Sequence, residues 1–80
     1  MDSKAVRAAI AKRAFDARKS AGLSQEEIAS KTGMAYRTVR RRESAEADFT
    51  TGELLAWATA TNTTFEHLMA GSSDEMKATA

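Results

Sequence analysis

The chain has 80 residues, 42% of them hydrophobic and 29% charged, so it has the length of one small domain and the composition of a globular protein. It contains no Cys, which excludes disulfides, a thiolate nucleophile and a Cys-based zinc site, and its apolar runs are too short to cross a bilayer. Residues 1–42 carry eleven basic and four acidic side chains, whereas residues 43–80 carry one basic and seven acidic ones. We therefore expect one basic end that suits a polyanion.

The first predicted helix covers residues 4–20. Its apolar residues recur at helical spacing, which predicts one buried face. They are Ile10, Ala14, Ala17 and Ala21. Gly22 follows, and glycine tolerates the left-handed backbone with which many helices end. We expect the chain to turn there.

Ser24 and Glu27 have the spacing of a capping box, in which the hydroxyl accepts from a free amide of the helix and the carboxylate reaches back to the amide of the serine. This box predicts a second, short helix over residues 25–32, and Gly33 breaks it. The residues that this helix is expected to bury are Ile28 and Ala29.

A third helix is predicted over residues 36–43, with Val39 as its clearest core residue. The polar residues 44–50 are expected to form a loop. No segment alternates with the period of a strand, so the pattern so far favours an all-helical domain.

Thr50 and Glu53 form another capping box, which opens a fourth helix through Thr61. Asn62 can take the left-handed terminus, and Thr63 or Thr64 caps a short fifth helix. The apolar residues of these two helices are Leu54, Trp57, Ala58, Phe65, Leu68 and Met69. We expect residues 1–70 to form the domain and the small, polar residues 71–80 to be a disordered tail.

The middle of the chain has the parts of a helix-turn-helix: a capped short helix, a tight glycine turn and a second short helix. Ala29 and Gly33 are small enough to let the two helices cross closely, and Val39 contributes to the apolar wedge between them. The side chains expected to project from the opposite face of the third helix are Tyr36, Arg37, Arg40 and Arg41. Arginines on a projecting helix of this motif point to nucleic acid.

Over residues 10–70 the sequence resembles the Cro/phage-repressor helix-turn-helix family, also called the xenobiotic-response-element family. The resemblance is carried by the segment GLSQEEIA, the Thr-Gly turn, and a Thr-Val pair with Glu43 four residues beyond Val39. The later segment LLAWATATNTTFEHLM resembles the last two helices of that fold. The resemblance implies an all-α, five-helix bundle of the lambda-repressor-like type with a central helix-turn-helix.

The resemblance also implies roles for individual residues. The third helix would enter the major groove, and its base contacts would be Tyr36, Arg37, Arg40 and Arg41. The resemblance implies contacts to phosphate from Ser24, Gln25 and Thr38; a further phosphate contact is expected from Arg42, although the family has no arginine there as a rule. Arg18 and Glu43 stand at the family's positions for a structural salt bridge. Arginine can bind O6 and N7 of guanine together, so we expect a half-site that contains guanine.

The sequence departs from the family at three places. Ala35 stands where Ser or Thr is usual, so the third helix lacks an N-cap worth about 1 kcal/mol. Arg42 stands where an apolar residue is common, and we expect its stem to lie on the core and its charge to reach a phosphate. Glu46 and Asp48 make the following loop acidic, so fewer phosphate contacts and modest affinity are expected from one copy.

Catalysis has no support in the sequence. His67 is the single His and has no Ser–Asp pattern or second metal ligand nearby, and no glycine-rich phosphate loop occurs. We expect that the protein is not an enzyme and that it binds no metal, cofactor or small-molecule ligand. A membrane-binding first helix is also disfavoured, because its Ala-rich apolar face offers little area to insert.

We expect a transcriptional regulator that binds double-stranded DNA as a homodimer and represses by occluding a palindromic operator. Its expected dimer contacts are Leu55, Phe65, His67 and Met69. The alternative is the antitoxin of a toxin–antitoxin pair, in which the acidic half or the tail would bind a basic toxin protein. Either would act in the cytoplasm, encoded by a bacterium or a phage.

Overall fold

The computed structural model describes residues 3–71, and these residues fold as helices joined by short turns. The helices are α1 (Ser3–Ser20), α2 (Gln25–Thr32), α3 (Tyr36–Glu43), α4 (Thr51–Thr61) and α5 (Phe65–Ala70). The predicted all-α, five-helix fold is therefore confirmed. Apart from Gly71, the predicted tail over residues 71–80 lies outside the described residues.

Both predicted capping boxes are present. At the start of α2 the Ser24 hydroxyl accepts from the Glu27 amide at 3.0 Å, and the Glu27 carboxylate accepts from the Ser24 amide at 2.8 Å. The same pair of bonds joins Thr50 and Glu53 at the start of α4, at 3.1 and 2.9 Å. Hydrogen bonds from Ser24 lower the pKa of Glu27, because they favour its charged form. Helices α2 and α4 therefore begin at the residues that the capping boxes predict.

Four helices end in the same way, with one residue in the left-handed region and two backbone bonds back into the last turn. Gly22, Gly33 and Asn62 hold this position after α1, α2 and α4, with φ of 73°, 74° and 57°. After α3 it is held by Ala45, with φ of 63°. The amides of Ala45 and Glu46 donate to the carbonyls of Arg42 and Arg41, at 3.2 and 3.0 Å. An alanine there is strained, because its Cβ crowds the backbone.

One core joins all five helices, and its largest fully buried side chains are Trp57, Ile28, Leu54, Leu68 and Val39. The Trp57 indole N–H donates to the Ala14 carbonyl at 3.0 Å, which satisfies its polar atom inside the core. Phe49, from the loop predicted to be polar, packs edge-on against Trp57 with ring centroids 5.1 Å apart. That loop is thereby pinned to the core.

The buried face of α1 differs slightly from the prediction. Ala14 and Ala17 are buried as expected, and Ile10 is half-buried. Ala21 is exposed, because α1 ends at Ser20 and Ala21 already belongs to the turn. Ala11 is buried instead, so the face is shifted toward the start of the helix.

We predict that Ala45→Gly raises the free energy of unfolding by about 0.5–1 kcal/mol, because glycine adopts the left-handed region without the Cβ crowding that alanine suffers. Urea unfolding followed by the fluorescence of Trp57 would measure the change. Ala47→Gly is the matched control: Ala47 has no positive φ, so glycine there only loosens the unfolded chain and lowers stability. Equal effects of the two changes would contradict this account.

Candidate nucleic-acid interface

Helices α2 and α3 form the helix-turn-helix that the sequence predicts. Gly33 turns the chain after α2, and the Met34 amide donates back to the Ala29 carbonyl at 3.1 Å. Ile28, Ala29 and Val39 are all buried between the helices. The apolar wedge therefore fixes α3 against α2.

The outer face of α3 carries the four predicted base-contacting residues. Val39 is fully buried and holds the inner side of the helix, whereas Tyr36, Arg37, Arg40 and Arg41 are exposed. The Arg40 guanidinium carbon lies 5.8 Å from the centroid of the Tyr36 ring, a cation–π distance. Within residues 3–71, no ion pair engages any of the three exposed arginines. Their charges are available to an anionic ligand.

A buried ion pair joins α1 to the end of α3. Arg18 donates from Nε and Nη2 to the two carboxylate oxygens of Glu43, at 2.6 and 3.1 Å, and the two side chains are 8% and 4% exposed. Arg18 also donates to the Leu23 carbonyl at 2.8 Å, and the Gln25 amide group donates to Glu43 at 3.0 Å. The pair that the family resemblance implies is thus present, and it also holds the turn before α2.

The side chains of Ser24 and Gln25, expected to contact phosphate, are both used within the fold. Ser24 caps α2, and the Gln25 amide group binds Glu43. Helix geometry leaves the amide N–H groups of the first turn, those of Gln25 and Glu26, without an acceptor inside the helix. A phosphate at this end would therefore be bound by backbone amides and by the positive end of the helix dipole.

Arg42 forms an ion pair within the fold, although the sequence predicts a phosphate contact for it. Its guanidinium donates to both carboxylate oxygens of Glu53, at 2.8 and 3.2 Å, and this pair joins α3 to α4. The bond to Glu53 raises the pKa of Arg42. Burial alone would raise the pKa of Glu53, but hydrogen bonds from Arg42 and from the Thr50 amide outweigh it and lower that pKa. A phosphate contact by Arg42 would compete with this pair.

The acidic loop after α3 is also tied down. Arg7 donates to Asp48 at 2.8 Å, and this bond lowers the pKa of Asp48. Ser44 donates to the Glu46 carboxylate at 2.6 Å. No sequence pattern marks the Arg7–Asp48 and Arg42–Glu53 pairs, because each joins residues that only the packing of the helices brings together.

The remaining predicted site residues differ in their exposure. Thr38 is half-buried and lines the same surface depression as Thr50, the residue that caps α4. Leu55 and Met69 are 52% and 41% exposed, so both offer apolar area to a partner. Phe65 is half-buried against the core and His67 is half-buried, so they offer less.

A protein-family model described as helix-turn-helix matches residues 16–68. The matched residues run from the second half of α1 to Leu68 of α5 and include all of α2, α3 and α4. The chain belongs to the Cro/phage-repressor type of helix-turn-helix DNA-binding proteins. No curated protein and no solved structure matches it significantly.

Membership of this helix-turn-helix family makes the chain a DNA-binding regulator in general terms. The family is one of DNA-binding domains and not of enzymes. Within residues 3–71, no helix is long and apolar enough to cross a membrane. The exposed face of α3 is therefore the candidate surface for double-stranded DNA.

We predict that Glu43→Ala destabilises the domain by about 3–5 kcal/mol, because it leaves the Arg18 guanidinium buried without its counter-charge. Chemical denaturation would measure this change, which is most of the free energy of unfolding expected for so small a domain. Combining Arg18→Met with Glu43→Leu should recover much of it, since no unpaired charge then remains. Asp16→Asn, which breaks the exposed Lys12–Asp16 pair, is the control and should cost less than about 0.5 kcal/mol. A loss for Glu43→Ala as small as the control's would contradict the prediction.

We predict a pH-dependent effect of Glu53→Gln. Because the folded state lowers the pKa of Glu53 below its ordinary 4.5, the stabilisation by its charge is fully present above that pH. It is lost as the pH falls through the lower, folded value. Glu53→Gln should therefore lower the free energy of unfolding by about 1 kcal/mol at neutral pH, a value that allows for solvent screening. The decrease should become progressively smaller in acid. Urea unfolding across this range would test it; a cost independent of pH would refute it.

Proposed function

We propose that the protein is a sequence-specific repressor that binds a palindromic operator as a symmetric homodimer and inserts α3 into the major groove. The observation that carries the proposal is the outer face of α3, where Tyr36, Arg37, Arg40 and Arg41 are exposed while Val39 anchors the helix. Occupation of the operator would exclude other proteins from promoter DNA.

The arginines of α3 supply the sequence readout in this proposal. A guanidinium can donate two bonds to O6 and N7 of guanine, a pattern that no other base pair offers in the major groove. Arg37 and Arg41 are one helical turn apart, and neither has an ion-pair partner among residues 3–71 that it would have to release, so we assign the guanine contacts to them. Arg40 stacks on Tyr36, and we assign these two residues a joint contact to a neighbouring base edge.

Contacts to the DNA backbone orient the protein on the duplex and carry little sequence information. We assign one phosphate to the first amides of α2, next to Ser24 and Gln25, and another to the region of Thr38 near the start of α4. Arg42 can add a phosphate contact only by leaving Glu53, so its contribution would be small.

The proposed dimer buries the apolar side chains of α4 and α5 that face solvent. Of the four residues that we assign to the interface, Leu55 on α4 and Met69 on α5 are the most exposed, and Phe65 and His67 on α5 are half-buried. A symmetric dimer presents two copies of α3, so its half-sites should lie about 10 base pairs apart or a multiple of that.

The antitoxin alternative depends mainly on the acidic C-terminal part of the chain as a toxin-binding segment. Residues 72–80 lie outside the described residues, and nothing in residues 3–71 favours a toxin partner over a second copy. Co-purification of a small basic protein from the native host would support this alternative.

We predict that selection from a random duplex library enriches an inverted repeat containing guanine, and that Arg37→Ala and Arg41→Ala each relax the preference at one position in each half-site. Each lost bidentate contact should cost about 1–3 kcal/mol of discrimination. Lys12→Ala removes one positive charge from the exposed side of α1 and is the matched control; it should leave the recovered sequence unchanged.

The recovered sequences separate the parts of this proposal. A single half-site without its repeat would contradict the homodimer but keep the readout by α3. An inverted repeat that neither arginine variant changes would contradict the assigned base contacts. A failure to enrich any sequence would contradict sequence-specific binding altogether.

A further inference from the structure

A shallow groove runs beside α3, on the side that faces α1. Its lining includes Arg37 and Arg41 from α3, Gln25 from the start of α2, and Phe15 from α1. Ser44 and Glu46 form its far end. The groove therefore continues the proposed DNA-binding face of α3 toward the end of α2 where a phosphate is expected.

Phe15 is an apolar side chain in polar surroundings. It is 40% exposed, although its neighbours on α1, Ala14 and Ala17, are buried. The guanidinium carbon of Arg18 lies 5.3 Å from the centroid of its ring, at a cation–π distance. Because Arg18 is itself fixed by Glu43, the ring is held in place while its remaining surface faces the groove.

We propose that Phe15 is a further DNA-contacting residue. Its ring packs against a deoxyribose of one DNA strand, the same strand whose phosphate binds at the start of α2. The inference rests on the proposed function, since it requires α3 to enter the major groove. It adds an apolar contact between a side chain of α1, outside the helix-turn-helix itself, and the sugar of the DNA backbone.

The chemistry of the groove favours DNA as its occupant. Arg37, Arg40 and Arg41 line it and have no ion-pair partner within residues 3–71. Of the two acids in the lining, Glu43 is balanced by Arg18, and Glu46 lies at the far end, where it accepts from Ser44, so positive charge is in excess. An apolar protein segment would have to strip water from three unpaired charges, which is costly. A nucleotide strand offers anionic phosphates to the arginines and an apolar sugar edge to the ring.

An apolar contact to sugar has a distinctive dependence on salt. Neutralising a phosphate releases counterions, so the loss of an arginine or lysine contact flattens the plot of log K against log salt concentration. A ring on a sugar releases none. Loss of Phe15 should therefore lower the affinity by the same factor at every salt concentration.

The experiment measures fluorescence anisotropy of a labelled duplex that carries the enriched site, titrated with the full chain over a range of salt concentrations. We expect Phe15→Ala to weaken binding about tenfold with an unchanged salt slope. Phe15→Leu should bind nearly as well as the parent, since it keeps most of the apolar area. Val6→Ala is the matched control, because Val6 is similarly exposed, at 37%, on the same helix but does not line the groove. It should leave affinity unchanged.

Thermal unfolding of each variant separates this contact from a structural role. If Phe15 served only to position Arg18, Phe15→Leu would lose affinity as much as Phe15→Ala, and both would lower the melting temperature; that result would overturn the proposal. An unchanged affinity of Phe15→Ala, or a flatter salt slope, would also overturn it. If the parent protein bound no duplex, the proposed function would fail first; if the parent bound and Phe15→Ala matched it, only this inference would fail.

Discussion

The interaction on which the arrangement depends is the buried ion pair of Arg18 and Glu43. Taking two charges out of water costs several kcal/mol, and the cost is offset only where hydrogen bonds satisfy the remaining polar atoms. Leu23 and Gln25 supply those bonds, and no buried side-chain polar atom within residues 3–71 lacks a partner. The pair thus joins the end of α1, the turn before α2 and the end of α3 in one geometry. That geometry gives the outer face of α3 a fixed direction.

Helix α3 needs this support because its own ends are weak. Ala35 makes no side-chain cap, and Ala45 adopts a backbone conformation that suits glycine. An isolated helix of eight residues is unstable in water, because its few hydrogen bonds do not offset the unfavourable free energy of nucleating the first turn. Its order in the folded protein comes from Val39 in the core and from the ion pairs that hold its last turn. The DNA-binding surface therefore exists only as a product of the tertiary fold.

Ion pairing also shapes the electrostatics of the molecule. Asp48 and Glu53 come from the acidic half of the chain, yet each is paired with an arginine of the basic half. These pairs neutralise acids close to α3, while the arginines on its outer face form no ion pair with any residue in the described range 3–71. The separation of charge along the sequence thereby becomes a basic surface in space, which attracts a polyanion and steers its approach.

The sequence by itself determined where α2 and α4 begin and where α1, α2 and α4 end, because capping boxes and left-handed Gly or Asn residues act within a few residues. It also determined which face of α3 points outward, since Val39 is surrounded by charged neighbours and can only face the core. The tertiary structure alone decided which distant residues meet. It paired Arg42 with Glu53, packed Phe49 on Trp57, and brought Phe15 into the lining of the same groove as Arg37, Arg40 and Arg41. Those outcomes depend on how helices pack across tens of residues, and no local pattern in the chain encodes that packing.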